Sequence, residues 1–239
     1  MPTYDLYLES GPRRRTTMVH VPELLGCVAV GPTTEDALAA TPAAIRAFRR
    51  FLGRHGEAID QDAPIGTRVV AHVTEGKMLG MGSPYVLFAP DLLPSTDEDI
   101  ETVLRRLGGL REEFAVWATS QTVAHLDIPP RGGGRPAWEV LLHVLGATGP
   151  TLSAALGSAP GFAATHSAVV RGELPMDDAL RRTARMAGAR IRAATPDQRT
   201  TGRELPGGHR TLRQTLRHLL EHDWDHLIEL SRRPGGPIL

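Results

Sequence analysis

Three histidines recur at intervals of four residues near the end of the chain. They are His218, His222 and His226, within the segment HLLEHDWDHLIEL (218–230). Residues four apart lie on one face of an α-helix, and two imidazoles in this arrangement can chelate one divalent metal ion. The same spacing also occurs in solvated helices with no ligand role. The segment therefore suggests a metal site. Such a site would also need ligands from another part of the chain.

A helical rotation of about 100° per residue separates the three histidines. One stripe of this helix is apolar and consists of Leu212, Leu216, Leu219, Leu220, Leu227 and Leu230. His226 falls at the edge of the apolar stripe, and His222 lies one step further from the centre of the stripe. His218 falls nearer the rim of the bundle, towards solvent. His222 and His226 are therefore the better ligand pair.

We expect a third ligand from another helix, because catalytic zinc sites take three protein ligands and keep one position open. His143 is the candidate, in the segment RPAWEVLLHVLGATG (135–149), where Glu139 is the only strongly polar residue near it. Its apolar neighbours predict a buried imidazole, which needs a polar partner. A core histidine bonded to a backbone carbonyl is the alternative. The remaining histidines show no comparable arrangement: His20, His55, His72, His125, His166 and His209.

The acidic residues of the last helix differ in their predicted positions. Asp223 falls close to the middle of the apolar stripe, which is unusual for an aspartate. A buried carboxylate needs a partner, so Asp223 either orients a ligand imidazole through its free N–H or pairs with an arginine of a neighbouring helix. Glu221 and Asp225 are predicted to point outward into solvent.

The first 78 residues have the pattern of a small α+β domain. Three β-rich runs, YDLYLES, TTMVHVPEL and GCVAVG, precede one long helical stretch that starts with a threonine cap and two acidic residues. Pro42 lies inside this stretch, which predicts either a kink or two abutting helices. A fourth strand, TRVVAHVTEG, follows.

The rest of the chain is predominantly helical in pattern. Residues 79–95 are rich in Gly and Pro and are predicted to form a linker. Helices are predicted at about 96–118, 136–157, 175–195 and 210–233, and four helices of this length predict a four-helix bundle over 96–239. The predicted fold class is therefore α+β, with a small domain of three strands, a helix and a strand followed by an all-α bundle.

Composition and charge exclude several function classes. Lys+Arg and Asp+Glu both number 27, so nucleic acid is an unlikely partner, and the local cluster GPRRRTT is interpreted as a solvated hairpin turn. Cys27 is the only cysteine, which is typical of a cytoplasmic protein. The first residues contain no apolar run of signal-peptide length, and no stretch has the length of a membrane span. We therefore expect a cytoplasmic protein without a membrane partner.

The C-terminal segment resembles the DinB-like (DinB/YfiT) family of metal-binding four-helix bundles. WEVLLHVL (138–145) is similar to the family's W-S-x-x-E-x-L-x-H-L segment, and HLLEHDWDHLIEL is similar to its H-x-x-x-H-x-x-x-H segment. The resemblance covers about residues 96–239 and implies that His143, His222 and His226 are the ligands. Many members continue with His-Arg-Gly-Gln at the point where this chain has Leu227, Ile228 and Glu229.

The N-terminal segment resembles a HicB-like domain. VPELLGCVAVGPTTEDALAATPAAI (21–45) is similar to the family's P-E-L-P-G-C-x-A-x-G-D-T-x-E-E-A. The resemblance covers about residues 3–75. HicB antitoxins pair with a small RNase toxin, so the resemblance implies a protein partner for this part of the chain. Cys27 lies in the Gly-Cys turn and is interpreted as a small packed residue.

Two classes of function follow from the residues and the resemblance. The first is a metal-dependent enzyme with thiol-transfer or hydrolytic chemistry at a three-histidine site, because some DinB-like relatives use low-molecular-weight thiols such as bacillithiol or mycothiol. Three imidazoles suit Zn²⁺ and also Ni²⁺ or Fe²⁺. The second is a non-catalytic metal-binding or partner-binding protein of antitoxin-like or regulatory type, in which the ion fastens two helices together. The resemblance further implies a homodimer formed through the bundle.

Overall fold

The computed structural model describes residues 3–12 and 16–239, and its first part is a four-stranded sheet covered by one helix. The elements are β1 (Thr3–Ser10), β2 (Thr17–His20), β3 (Val28–Gly31), α1 (Thr34–Arg54) and β4 (Gly66–Val73). The strand order is β3-β2-β1-β4, in which β1 pairs antiparallel with β2 and parallel with β4. The predicted order of three strands, a helix and a strand is confirmed.

Helix α1 is one continuous helix, so the alternative of two abutting helices is wrong. The Thr33 side chain caps its first turn by accepting a hydrogen bond from the Asp36 amide. Pro42 lies inside the helix without ending it. The helix buries an apolar face that includes Ile45, Phe48 and Phe51, and this burial stabilises it against the local cost of the proline.

Four long helices form the second part. They are α2 (Asp97–Ser120), α4 (Ala137–Leu156), α6 (Met176–Arg192) and α8 (Leu212–Ser231). Helices α2 and α4 each contact both α6 and α8, which is the arrangement of a four-helix bundle. The α+β fold class with a helical bundle is therefore confirmed. Thr96 caps α2 and Thr211 caps α8, each through a side-chain oxygen that accepts a backbone amide.

The sequence patterns missed several short elements between the bundle helices. These are α3 (Val123–Leu126), α5 (Phe162–Val170), α7 (Pro196–Thr200) and the hairpin of β5 (Arg203–Leu205) and β6 (Gly208–Arg210). Elements of three to nine residues carry too few turns or alternations for a periodic signal. The β5–β6 hairpin precedes α8 directly and places Arg210 beside its first turn.

One apolar core runs through both parts of the molecule. The ring of Trp224 in α8 lies 4.9 Å from that of Phe48 and 5.3 Å from that of Phe51, both in α1. The segment 79–95, predicted as a linker, buries Leu79, Val86 and Phe88 with Tyr7 of β1 in a second, smaller apolar cluster, and its Asp91 is also buried. Among the described residues, every helix is too short or too polar to cross a lipid bilayer.

Candidate metal centre

Two helices of the bundle bring three imidazoles together. α4 carries His143, α8 carries His222 and His226, and one ring nitrogen of each lies within 4.8 Å of the others. The ring centroids of His222 and His226 are 4.6 Å apart, and that of His143 lies 4.9 Å from the first and 5.0 Å from the second. The grouping arises because α4 and α8 are neighbours and the two α8 histidines are one turn apart.

The spacing of the nitrogens fits a shared metal ion. Nε2 of His143 lies 3.0 Å from Nε2 of His222, at hydrogen-bond distance. Two nitrogens bound to one zinc ion at about 2.0–2.1 Å in tetrahedral geometry are about 3.3 Å apart. The two rings therefore need to separate by only a small distance to bind the same ion, and three imidazoles are a donor set that suits zinc, nickel or iron.

His143 is exposed at the surface of α4, so the prediction that it is buried is wrong. Its neighbours Val144 and Leu145 turn into the core, while His143 lies on the opposite side of the helix among the other imidazoles. Partial burial together with His222 and His226 lowers the pKa of His143 to about 4. The ring is therefore neutral at neutral pH, which is the form that binds a metal.

His226 is oriented by a carboxylate that the sequence did not single out. Its Nδ1 lies 2.8 Å from Oε2 of Glu229, which leaves Nε2 free to face the other rings. The hydrogen bond to His226 outweighs burial and lowers the pKa of Glu229. Arg233 donates to Oε1 of Glu229, and Arg135 lies 3.8 Å from Oε2. This carboxylate–histidine contact is the usual way in which a ligand imidazole is held in one tautomer.

Asp223 contacts both of the partners that the sequence left open, the arginine at short distances and the ligand imidazole at a longer one. It is fully buried and accepts hydrogen bonds of 2.6 and 3.1 Å from Arg111 in α2. Its Oδ1 also lies 3.5 Å from Nδ1 of His222. Burial opposes the charge on Asp223, but Arg111 and His222 together lower its pKa. The short contacts to Arg111 make Asp223 primarily the buried ion-pair partner of α2, with a longer contact to the candidate ligand.

Glu221 is buried, so the prediction that it points into solvent is wrong. Its carboxylate bonds to Nδ1 of His20 at 3.0 Å and to Arg217 at 2.7 Å, and Arg217 also pairs with Asp91. His20 is likewise buried, although no role was predicted for it. The signal available was the i, i+4 pair of Arg217 and Glu221. It could not show that β2 and the segment after β4 cover this face of α8.

His218 and Asp225 flank the three histidines without joining the group. The ring of His218 lies 6.0 Å from that of His222, and His218 is not part of the group of three nitrogens. Burial and the neighbouring His222 lower the pKa of His218 to about 3. Asp225 is half-buried rather than solvated, and its burial raises the pKa of its carboxyl group.

A cavity of about 680 Å³ adjoins the three histidines. Its walls include Met18 of β2 together with Met78 and Met81 of the segment after β4, and Arg135 lies at its edge before α4. Met78 is the only non-glycine among the described residues with a positive φ, at 57°. Ligand pockets commonly have this size and combine apolar walls with a few polar groups.

Other candidates from the sequence have no place in this site. Cys27 is fully buried, as predicted, and burial raises the pKa of its thiol. The basic cluster Arg13–Arg15 lies outside the described residues. Compared with known proteins, the chain matches no family model, no curated protein and no solved structure.

Proposed function

We propose that this protein binds one divalent metal ion through His143, His222 and His226 and acts as a metal-dependent enzyme of the DinB-like type. The observation that carries the proposal is the approach of three ligand nitrogens from two helices to within 4.8 Å, beside a cavity. Zinc is the preferred ion, with nickel and iron as alternatives. The reaction class is thiol-dependent transfer or hydrolysis, and a low-molecular-weight thiol as co-substrate follows from the resemblance alone.

The residues around the cluster have distinct tasks in this proposal. Three neutral imidazoles leave the charge of a divalent ion uncompensated, and when bound it would act as a Lewis acid that lowers the pKa of a coordinated water or thiol. Glu229 holds the ring of His226 so that Nε2 faces the site. The methionine-lined wall keeps part of the cavity apolar, while Arg135 offers a positive charge at its edge.

A second candidate function is a non-catalytic metal site. His143 and His222 belong to different helices, so one ion would fasten α4 to α8. In that case the HicB-like segment would bind a protein partner and the bundle would be a structural or regulatory part. Dimerisation through the bundle and a cytoplasmic location are further proposals that rest on the resemblance and the composition.

The metal content of the purified protein tests the site. We expect about one zinc, nickel or iron per chain, and His143→Ala, His222→Ala and His226→Ala should each lower the affinity at least about tenfold, because each removes one of three ligands. His166→Ala is the matched control. His166 lies in α5, which follows α4 in the chain, and it lines a different cavity. Unchanged metal content in all three variants would disprove the site.

Cobalt substitution separates the enzyme from the structural site. Co²⁺-loaded protein should change its visible spectrum when a small thiol is added, and should gain a thiolate-to-cobalt charge-transfer band, if one coordination position is open. A spectrum that stays unchanged with thiols and with azide would favour the non-catalytic candidate. The three alanine variants should lack the cobalt spectrum altogether.

A further inference from the structure

A second cavity adjoins the first behind His218. Its volume is about 420 Å³, and it shares Pro84 and His218 with the cavity beside the three histidines. Its walls are mainly apolar, with Tyr85, Pro150 and Leu205 among them. Among the described residues, Arg210 from the β5–β6 hairpin is the one arginine or lysine in the lining, and no aspartate or glutamate lines the cavity.

Arg210 lacks an acidic partner although it is only 5% exposed. Within the described part of the chain, no carboxylate lies within ion-pair distance of its guanidinium. Towards the described residues, the guanidinium makes one hydrogen bond, to the carbonyl of His209 at 3.0 Å, and the guanidinium carbon stacks 4.7 Å from the centre of the Tyr85 ring. Burial lowers the pKa of Arg210, yet an arginine keeps its charge at any physiological pH.

The other buried arginines show how unusual this is. Three of them pair with carboxylates: Arg106 with Glu57, Arg111 with Asp223 and Arg217 with Asp91 and Glu221. The fourth, Arg49, donates to the Ala63 carbonyl and the Tyr4 hydroxyl. Of the arginines that the structure describes, only Arg210 combines burial, an unpaired charge and a place in the wall of a cavity.

An unpaired buried charge is costly, and stacking on an aromatic ring offsets only part of the cost. The planar fork of a guanidinium matches a carboxylate, which can accept two parallel hydrogen bonds. The cavity thus offers one cation among mainly apolar walls.

We propose that this second cavity binds a small organic monocarboxylate, with its carboxylate on Arg210 and its apolar body against Tyr85, Pro150 and Leu205. A single guanidinium balances one negative charge, which favours a monocarboxylate over a phosphate dianion. The cavity shares His218 with the candidate metal site. The next step rests on the proposed function. If the three histidines hold a catalytic metal, the carboxylate site would bind the end of the substrate that does not react.

Titration of the full chain with benzoate and its neutral analogue benzamide tests the carboxylate site. In chelator-treated protein, calorimetry should detect saturable binding of benzoate and none of benzamide, and Arg210→Gln should weaken benzoate binding by about 10- to 100-fold. Arg203→Gln is the matched control, because Arg203 pairs with Arg210 across the hairpin but is exposed and outside the lining. This control should bind benzoate as the unchanged protein does.

Several outcomes would overturn the carboxylate site. These are the absence of saturable benzoate binding, equal binding by Arg210→Gln, or displacement of benzoate by an equal concentration of inorganic phosphate. If Arg210→Gln fails to fold, the Nε–H resonance of Arg210 in the unchanged protein decides, because benzoate should shift it and benzamide should not. The titration needs no metal, so its failure is distinguishable from failure of the metal site.

Discussion

At the scale of single residues, two carboxylates contact the candidate ligands in different ways. Glu229 bonds to His226 at 2.8 Å and is half-buried, whereas Asp223 is fully buried on Arg111 and lies 3.5 Å from His222. A carboxylate at hydrogen-bond distance fixes the tautomer of a ligand ring. A carboxylate that neutralises a buried guanidinium mainly stabilises the fold. The two residues should therefore have separable effects.

We predict that Glu229→Gln lowers metal affinity by about 10- to 100-fold with little change in stability, because it weakens the contact that orients His226. Asp223→Asn should instead destabilise the fold by about 3–5 kcal/mol, because it leaves the charge of Arg111 buried without a counter-ion. Metal titration and thermal unfolding of both variants measure the two effects. Equal losses of affinity at equal stability would contradict this division.

Met78 provides a second prediction at this scale. Its φ of 57° is unfavourable for a residue with a Cβ atom, and its side chain is 57% exposed. Met78→Gly should therefore raise the free energy of unfolding by about 1 kcal/mol. Met81→Gly is the control, since Met81 is 76% exposed and has a negative φ, and it should lower stability by about 0.5–1 kcal/mol. Denaturant unfolding should give opposite signs for the two variants.

At the scale of elements, an ion pair joins the end of α1 to α2. Glu57, just after α1, accepts two hydrogen bonds of 2.8 Å from Arg106, which also donates to the carbonyl of Leu25. Burial by itself would raise the pKa of Glu57, but the hydrogen bonds and charges of Arg106 and Arg105 outweigh it and lower the pKa below 4.5. The contact therefore fastens the first part of the chain to the bundle only while Glu57 is ionised.

We predict that Glu57→Gln lowers stability by about 1–2 kcal/mol at pH 7. A folded-state pKa below the unfolded value of 4.5 gives a contribution that is present above pH 4.5 and is lost as the pH falls through the folded-state pKa. The stabilities of the variant and the unchanged protein should therefore converge below that pH. Denaturant midpoints measured from pH 7 to pH 3 test this, and a constant difference would contradict it.

At the scale of the whole molecule, the contact of α1 with α8 makes one core of two sequence segments. Phe48 and Phe51 lie against Trp224 with none of the three side chains reaching solvent. Trp224 lies between His222 and His226 in sequence but points to the opposite side of α8, into this core. The position of the candidate ligands therefore depends on packing of the first part of the chain against α8.

We predict that Phe48→Ala destabilises the protein by about 3–5 kcal/mol, because the cavity it leaves cannot close fully. Unfolding followed by tryptophan fluorescence and by helical circular dichroism should give coincident transitions in both proteins, as expected when one core unfolds together. Val116→Ala, at an exposed position, should change stability by less than about 0.5 kcal/mol. Separate transitions for the two signals would show that the two parts unfold independently.

From the amino-acid sequence alone we predicted the strands and helix of the first part, the four long bundle helices and their order, but not the short elements between those helices. Periodic leucines predicted α8, and the spacing of His222 and His226 is a local property of one helix. His143 was predicted from its place in an apolar helix segment and from the family resemblance. Helix α8 and its His222–His226 pair depend on residues within a few turns of each other, so both can be predicted without a tertiary structure. The approach of His143 to His222 joins residues 79 positions apart in the chain and is a property of the tertiary structure.

Only the tertiary structure decided which polar residues are buried and what they contact. Glu221 was predicted to face solvent from the pattern of α8 alone. That pattern cannot show that β2 and the segment after β4 cover Glu221. Arg210 acquires its cavity from a hairpin too short to have a period, packed against segments distant in the chain. Burial is a property of the surfaces that meet, and those surfaces come from residues far apart in sequence.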